Sequence, residues 1–258
     1  MTASRPLMLA LCLALSALSS SALAQTPPPT PKDNERTGDE KYIMSTTGFL
    51  DYHPDLRHRL AGQGHYRKKR YEQALASFMR GARFADKPSQ AMVGEMLWKG
   101  EGAPMDRPMA YLWMDIAAER GYRLMLAKRE HYWNALTEAE RARALELGDA
   151  LYGEYADAYA KPRMERQLRR ARLNRTGSRV GANSGFLQIE IPGPGGSRVV
   201  DGSTYYADKY WKPSEYWRMQ DEDWKEFGEG TVEIGDIQSV GEPTIPEDES
   251  ESPEADPR

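Results

Sequence analysis

Three apolar patterns follow one another along this chain. Leu7 to Leu18 is a nearly continuous apolar run, broken by Ser16. From about Pro54 to Leu173 apolar residues recur at helical spacing. Ala74, Phe78 and Ala82, and again Ala110, Met114 and Ala118, sit at i, i+4 and i+8 and so share one stripe of a helix. Beyond Gly177 the period shortens. Phe186 to Ile191 has period-two character, Pro192 to Gly196 reads as a turn, and Ser197 to Val200 pairs back as a hairpin; Thr231 to Ile234 offers one more strand. Polar stretches separate these blocks. Residues 25–40 (QTPPPTPKDNERTGDE) read as a disordered linker, 41–53 as an irregular lead-in, and the acidic, Pro-bearing residues 242–258 as a disordered tail.

The helical block repeats itself. Its two Ala-large-Ala stripes lie 36 residues apart, as do Gly64 and Gly100. Small residues on the stripe allow the paired helix to approach closely, and the large ones fill the space between hairpins. Asp106 before Arg107-Pro108 fits an N-cap with proline in the first turn, and Gly121 fits a helix C-terminus. Two helices per 36 residues predict a short α-solenoid of antiparallel helical hairpins. The expected chain is mainly α, with a helical-repeat domain over 41–175 and a small aromatic-rich β/loop module over 177–241.

The same residues carry a family resemblance. Ala91-x-x-Gly94-x-x-x-Trp98-x-Gly100-x-Gly102, then Asp106, then Ala110-x-x-Trp113-x-x-x-Ala117-Ala118-Glu119-x-Gly121 resembles a Sel-one-like repeat, a relative of the tetratricopeptide repeats. Residues 55–90 resemble a degenerate copy, with Tyr66 where Gly102 sits and no tryptophan. Residues 122–160 are either a third copy or a helical cap, and Thr137 with Glu140 makes a capping box within them. The resemblance covers roughly residues 55–125. It implies a helical-repeat fold and a scaffold or adaptor role, and it implies no reaction.

From Glu140 to Leu173 helix formers run on, and Pro162 is expected to break or kink that helix. Its end is basic: Lys161, Arg163, Arg166, Arg169, Arg170, Arg172 and Arg175 stand against Glu165. Two readings are open. The cations either complement the helix's own C-terminus, or form a strip in which Arg166, Arg169 and Arg170 dock an acidic partner, lipid headgroups or the acidic tail. The aromatic segment 205–227 is also two-sided. Trp211, Trp217 and Trp224 either make the core of a module poor in aliphatics or stand exposed as a partner-binding or glycan platform.

Composition narrows the setting. Arg5, the apolar run and Ala22-Leu23-Ala24 form the charged, apolar, A-x-A order of a secretory signal, with cleavage expected between Ala24 and Gln25. Residues 1–24 are therefore read as a signal peptide and the mature chain as periplasmic or secreted. The run is short for a membrane span, and no second segment approaches about 18 apolar residues. Cys12, the sole cysteine, lies within the signal, so the mature chain forgoes disulfides and thiolate chemistry. The net charge of −4 hides an uneven distribution. With Arg5 and residues 242–258 set aside, 33 basic and 32 acidic residues remain. A body so balanced gives no electrostatic case for nucleic acid.

Candidate chemistry is sparse. His53, His58 and His65 are close in sequence, yet spacings of five and seven fit no single helix face, and no HExxH-type pattern occurs. No nucleophile elbow, Walker loop or dinucleotide fingerprint is present. The expectation is an exported interaction scaffold or adaptor with another envelope protein as partner, without catalytic residues, cofactor or metal. The alternative is a cell-wall or glycan-directed binding protein or hydrolase using residues 205–227.

Overall fold

Thr37 and Glu40 exchange hydrogen bonds: the Thr37 hydroxyl accepts from the Glu40 amide at 3.2 Å, and the Glu40 carboxylate accepts from the Thr37 amide at 3.0 Å. This reciprocal cap starts α1 (Gly38–Ser45). The computed structural model describes residues 36–174, 187–193 and 196–225. The expected signal peptide, most of the linker, the strand at 231–234 and the acidic tail lie outside the described residues. Residues 38–40, assigned to the linker from their composition, begin a helix instead. The lead-in after them is helical as well. α1 and α2 (Thr47–Leu50) bury Ile43 and Phe49 completely.

Seven further helices run in succession: α3 (Pro54–Arg67), α4 (Tyr71–Ala82), α5 (Lys87–Lys99), α6 (Arg107–Ala118), α7 (Arg123–Ala135), α8 (Glu138–Tyr155) and α9 (Asp157–Leu173). From α3 to α7 each packs on its chain neighbour, and α8 packs on α6. Small residues set these approaches. A Cβ on Gly94 would lie 2.9 Å from the Ala110 carbonyl oxygen, so α5 and α6 meet backbone to backbone there. Ala74, Phe78 and Ala82 on α4, and Ala110, Met114 and Ala118 on α6, are buried together with Ala91, Trp113 and Ala117. The turns carry their own signals. Gly100 (φ 70°) closes α5, Asp106 caps α6 by accepting from the Met109 amide at 3.1 Å, and Gly121 (φ 76°) comes just after α6. Gly102 (φ 84°) passes so close to α4 that a Cβ would sit 2.6 Å from the Tyr71 carbonyl oxygen.

The break between α8 and α9 falls at Ala156, whose ψ of 157° is extended. Pro162 instead lies inside α9, where it forfeits the bond to the Ala158 carbonyl. The helix tolerates that loss because Ala160, Met164, Leu168 and Ala171 bury one continuous face of it.

The C-terminal part opens with the expected hairpin. β1 (Gln188–Gly193) pairs antiparallel with β2 (Gly196–Asp201), Ile189 opposite Val200. The aromatic segment after the hairpin departs from the strand-and-loop expectation. Its described residues are helical: α10 (Gly202–Tyr205), α11 (Asp208–Trp211) and α12 (Pro213–Lys225). Tyr216, Gln220 and Trp224 recur four apart and are buried on one face of α12, a helical period that the β-propensity of aromatics masks. Nor do these residues pack by themselves. Tyr210, Trp211, Tyr216 and Trp217 share one core with Ile43, Phe49, Leu56, Met164 and Leu168. A segment with many aromatics and few aliphatics completes its core with the apolar faces of α1 to α3 and α9. The described residues are mainly helical with this one two-stranded sheet, and all fall within one compact unit.

Candidate interaction surface

The three C-terminal tryptophans are interior. Trp211 is 2% exposed, meets the edges of Phe49 and His53, and donates its indole N–H to the Tyr205 carbonyl at 2.7 Å. Trp217 is 9% exposed, with the Arg120 guanidinium 4.8 Å and the Lys161 ammonium 5.2 Å from its ring. Trp224, 2% exposed, lies among Ala91, Met114, Ala118 and Tyr132 with Arg59 over its ring at 5.5 Å. A glycan or peptide platform needs indoles on the surface. Burial removes these three from that role, and the cations over Trp217 and Trp224 stack on them from within the fold.

Arg120 anchors the elements around them. Its guanidinium holds Asp157 at 2.7 and 3.0 Å, donates to the Ala85 carbonyl at 3.0 Å, and lies 3.6 Å from Asp221. Lys87 joins this cluster, reaching the Ile116 carbonyl and Glu119 at 2.8 Å each and Asp157 at 3.0 Å. Tyr122 donates to Asp221 at 2.6 Å. Burial pushes the Asp157 carboxyl up, but Arg120 and Lys87 outweigh that and hold it well below the usual carboxylate range. Burial lowers Lys87 in spite of its carboxylate neighbours. The cluster therefore ties the turns after α4 and α6 to the start of α9 and to α12. These are fixed charges, each matched, and their part is to hold α9 in place.

So anchored, α9 divides cleanly. Ala160, Met164, Leu168 and Ala171 face the core, while Arg166, Arg169, Arg170 and Leu173 are exposed at i, i+3, i+4 and i+7. Arg169 pairs with Glu165 at 3.3 Å, an exposed contact of small worth. Arg166 and Arg170 make no ion pair among the described residues. Leu173 is 83% exposed at the end of this stripe. Three guanidiniums on one face with an apolar residue beside them make a surface suited to carboxylates.

His53 is interior and takes no part in this surface. His53 is fully buried, with Nδ1 2.8 Å from the Phe49 carbonyl oxygen and Nε2 2.9 Å from that of Tyr210. Burial pushes it down to about 4, so at neutral pH one of these two carbonyls faces a ring nitrogen without a proton. Close by, burial and the neighbouring Asp86 push the Asp55 carboxyl up to about 7, and Tyr216 donates to it. Among the described residues no group of three or more His, Cys, Asp or Glu side chains is placed to hold a metal ion, and no helix is long and apolar enough to cross a membrane.

Sequence reasoning missed the Arg120 cluster. The repeat motif leaves position 120 open between Glu119 and Gly121, and nothing in the chain announces Asp157 as its partner. Comparison with protein-family models, curated proteins and solved structures finds no match to this chain.

Proposed function

We propose that this chain is an exported helical-repeat protein of the cell envelope that works as an interaction scaffold, docking an acidic segment of a partner protein on the basic face of α9. The observation that carries the docking is the exposed stripe of Arg166, Arg169 and Arg170 on a helix whose opposite face and start are locked into the core. The helix's own dipole accounts for cations in its last turn. It does not account for Arg166, nor for a stripe at i, i+3, i+4 that ends in an exposed leucine.

The repeat reading, of the Sel-one-like kind, is supported by helix lengths and spacing. α4 and α6 both have 12 residues and begin at Tyr71 and Arg107, one 36-residue step apart. α5 and α7 both have 13 residues and begin at Lys87 and Arg123, again one such step apart. Buried Ala74, Phe78 and Ala82 then stand in register with buried Ala110, Met114 and Ala118. Export is supported by the order of charge, apolar run and A-x-A in residues 1–24.

The test is capture of a partner from envelope extract under mild crosslinking, with the mature chain and the R166E/R169E/R170E variant side by side. A specific partner recovered by the first and lost by the second, at unchanged melting temperature, supports the reading. Equal recovery by both removes α9 from it.

A further inference from the structure

The turn joining α3 and α4 reads Arg67-Lys68-Lys69-Arg70, and all four residues are exposed. None makes an ion pair or a side-chain hydrogen bond among the described residues. The Glu101 carboxylate accepts from the Tyr66 hydroxyl at 2.8 Å and pairs with none of the four. We propose that this turn is a second docking site, which seats a short acidic peptide segment of a partner protein in the cleft beside it.

Local structure argues that these cations are not there for the turn's own sake. The C-terminus of α3 favours positive charge, which explains Arg67 and Lys68. Lys69 and Arg70 are another matter. Lys69 takes φ 56°, a left-handed conformation that strains a residue with a side chain and suits glycine. At the ends of α4 and α5 the chain places Ala85 and Gly100 in that same conformation, neither of them charged. Arg70 occupies the N-cap of α4, gives no side-chain cap, and puts a cation at the helix end that disfavours it. Glycine followed by serine would serve the turn better. A sequence that breaks local rules at two adjacent exposed positions, each time with a cation, points to a use for the charge.

The shape beside the turn selects the ligand. Lys69 and Arg70 stand on the rim of a cleft of about 820 Å³. Gly100 and Gly102 line it without side chains, and Tyr71 and Pro104 form walls. That volume suits a few residues of extended peptide. The cleft is shallow and open, a shape along which an extended chain can lie, and the run of cations at its border matches successive carboxylates of such a chain better than separate headgroups. Glu72, also on the cleft wall, leaves the cations in excess.

The experiment titrates a fluorescent hexaglutamate peptide into the mature chain by anisotropy at low salt, in the R166E/R169E/R170E background so that α9 contributes nothing. Because of that background, failure here and failure of the α9 reading are distinguishable. Binding that weakens at least tenfold in R67Q/K68Q/K69G/R70S, a variant whose stability should hold or rise, is the expected result. Q73W, which fills the cleft and keeps all four cations, weakens binding as well. Unchanged affinity in either variant overturns the proposal. So does a chain that ignores the peptide and binds phosphatidylglycerol vesicles through this turn.

Discussion

Arg120 and Asp157 lie 37 residues apart in the chain and meet in a bidentate ion pair, Nε to Oδ2 at 2.7 Å and Nη2 to Oδ1 at 3.0 Å. The pair is mostly buried, with side chains 8% and 15% exposed. Truncating Arg120 removes the bidentate partner of Asp157 and the donor to the Ala85 carbonyl, and leaves Asp157 with Lys87 at 3.0 Å and Lys161 at 3.2 Å. Arg120→Ala is therefore expected to cost about 2–4 kcal/mol in urea unfolding, less than a fully unpaired buried charge would. A loss under about 1 kcal/mol would mean that solvent reaches Asp157 and that the pair is an ordinary surface contact.

The pair His53 and Asp55 predicts a hidden pH dependence. His53 titrates at about 4 when folded and at 6.5 when unfolded, so the unfolded chain binds a proton that the folded one refuses, and stability falls as pH drops through that window. Asp55 works in the opposite direction. Its folded carboxyl keeps a proton up to about 7 and its unfolded one only to 3.8, so stability is lost as pH rises through that range. In the wild type the two trends largely offset each other. Asp55→Asn exposes the histidine: its unfolding free energy should drop about 3 kcal/mol more than the wild type's between about pH 7.5 and about pH 4.5. Parallel curves for the two proteins would sink this assignment.

Two glycines separate conformational from steric cost. A Cβ on Gly121 meets nothing within 4 Å, so Gly121→Ala pays for φ 76° alone, about 1 kcal/mol. A Cβ on Gly94 strikes the backbone of α6 at Ala110 and Met114, and Gly94→Ala is expected to cost about 2–3 kcal/mol. Chemical denaturation of both variants checks the order. The reverse order would mean that the contact of α5 with α6 is looser than the geometry requires.

How much of this chain is legible depends on the range of the interactions. Local signals read well. Asp106 as a cap, Gly121 in the left-handed region, the Thr137–Glu140 box and the hairpin after Gln188 all depend on neighbours a few residues away. Thr37 and Glu40 carry the same box, but the proline-rich composition just before it outweighs that signal. Pro162 reads as a breaker because the burial of Met164 and Leu168, which holds the helix together, is invisible from the proline. The aromatic segment looks like strand and loop because its partners, Phe49, Leu56 and Met164, are far away in sequence. The Arg120 cluster joins groups 29 residues or more apart, from Lys87 with Ile116 to Arg120 with Ala85, Asp157 and Asp221, and only packing brings them together.

Burial of the indoles carries its own expectation. Trp224→Ala should cost about 3–5 kcal/mol, as truncation of a buried aromatic does. Titration with peptidoglycan fragments should leave tryptophan emission unchanged. A saturable shift that persists in W98F/W133F, whose remaining indoles are all buried, would put one of them at the surface and revive a glycan-directed role.

Proximity labelling in the native envelope tests the scaffold reading most directly, with a labelling enzyme fused to the wild-type chain and to R166E/R169E/R170E. The account predicts a short, reproducible set of neighbours around the wild type, with at least one acidic protein lost from the set around the variant. Diffuse labelling of abundant envelope proteins, the same for both chains, would contradict it.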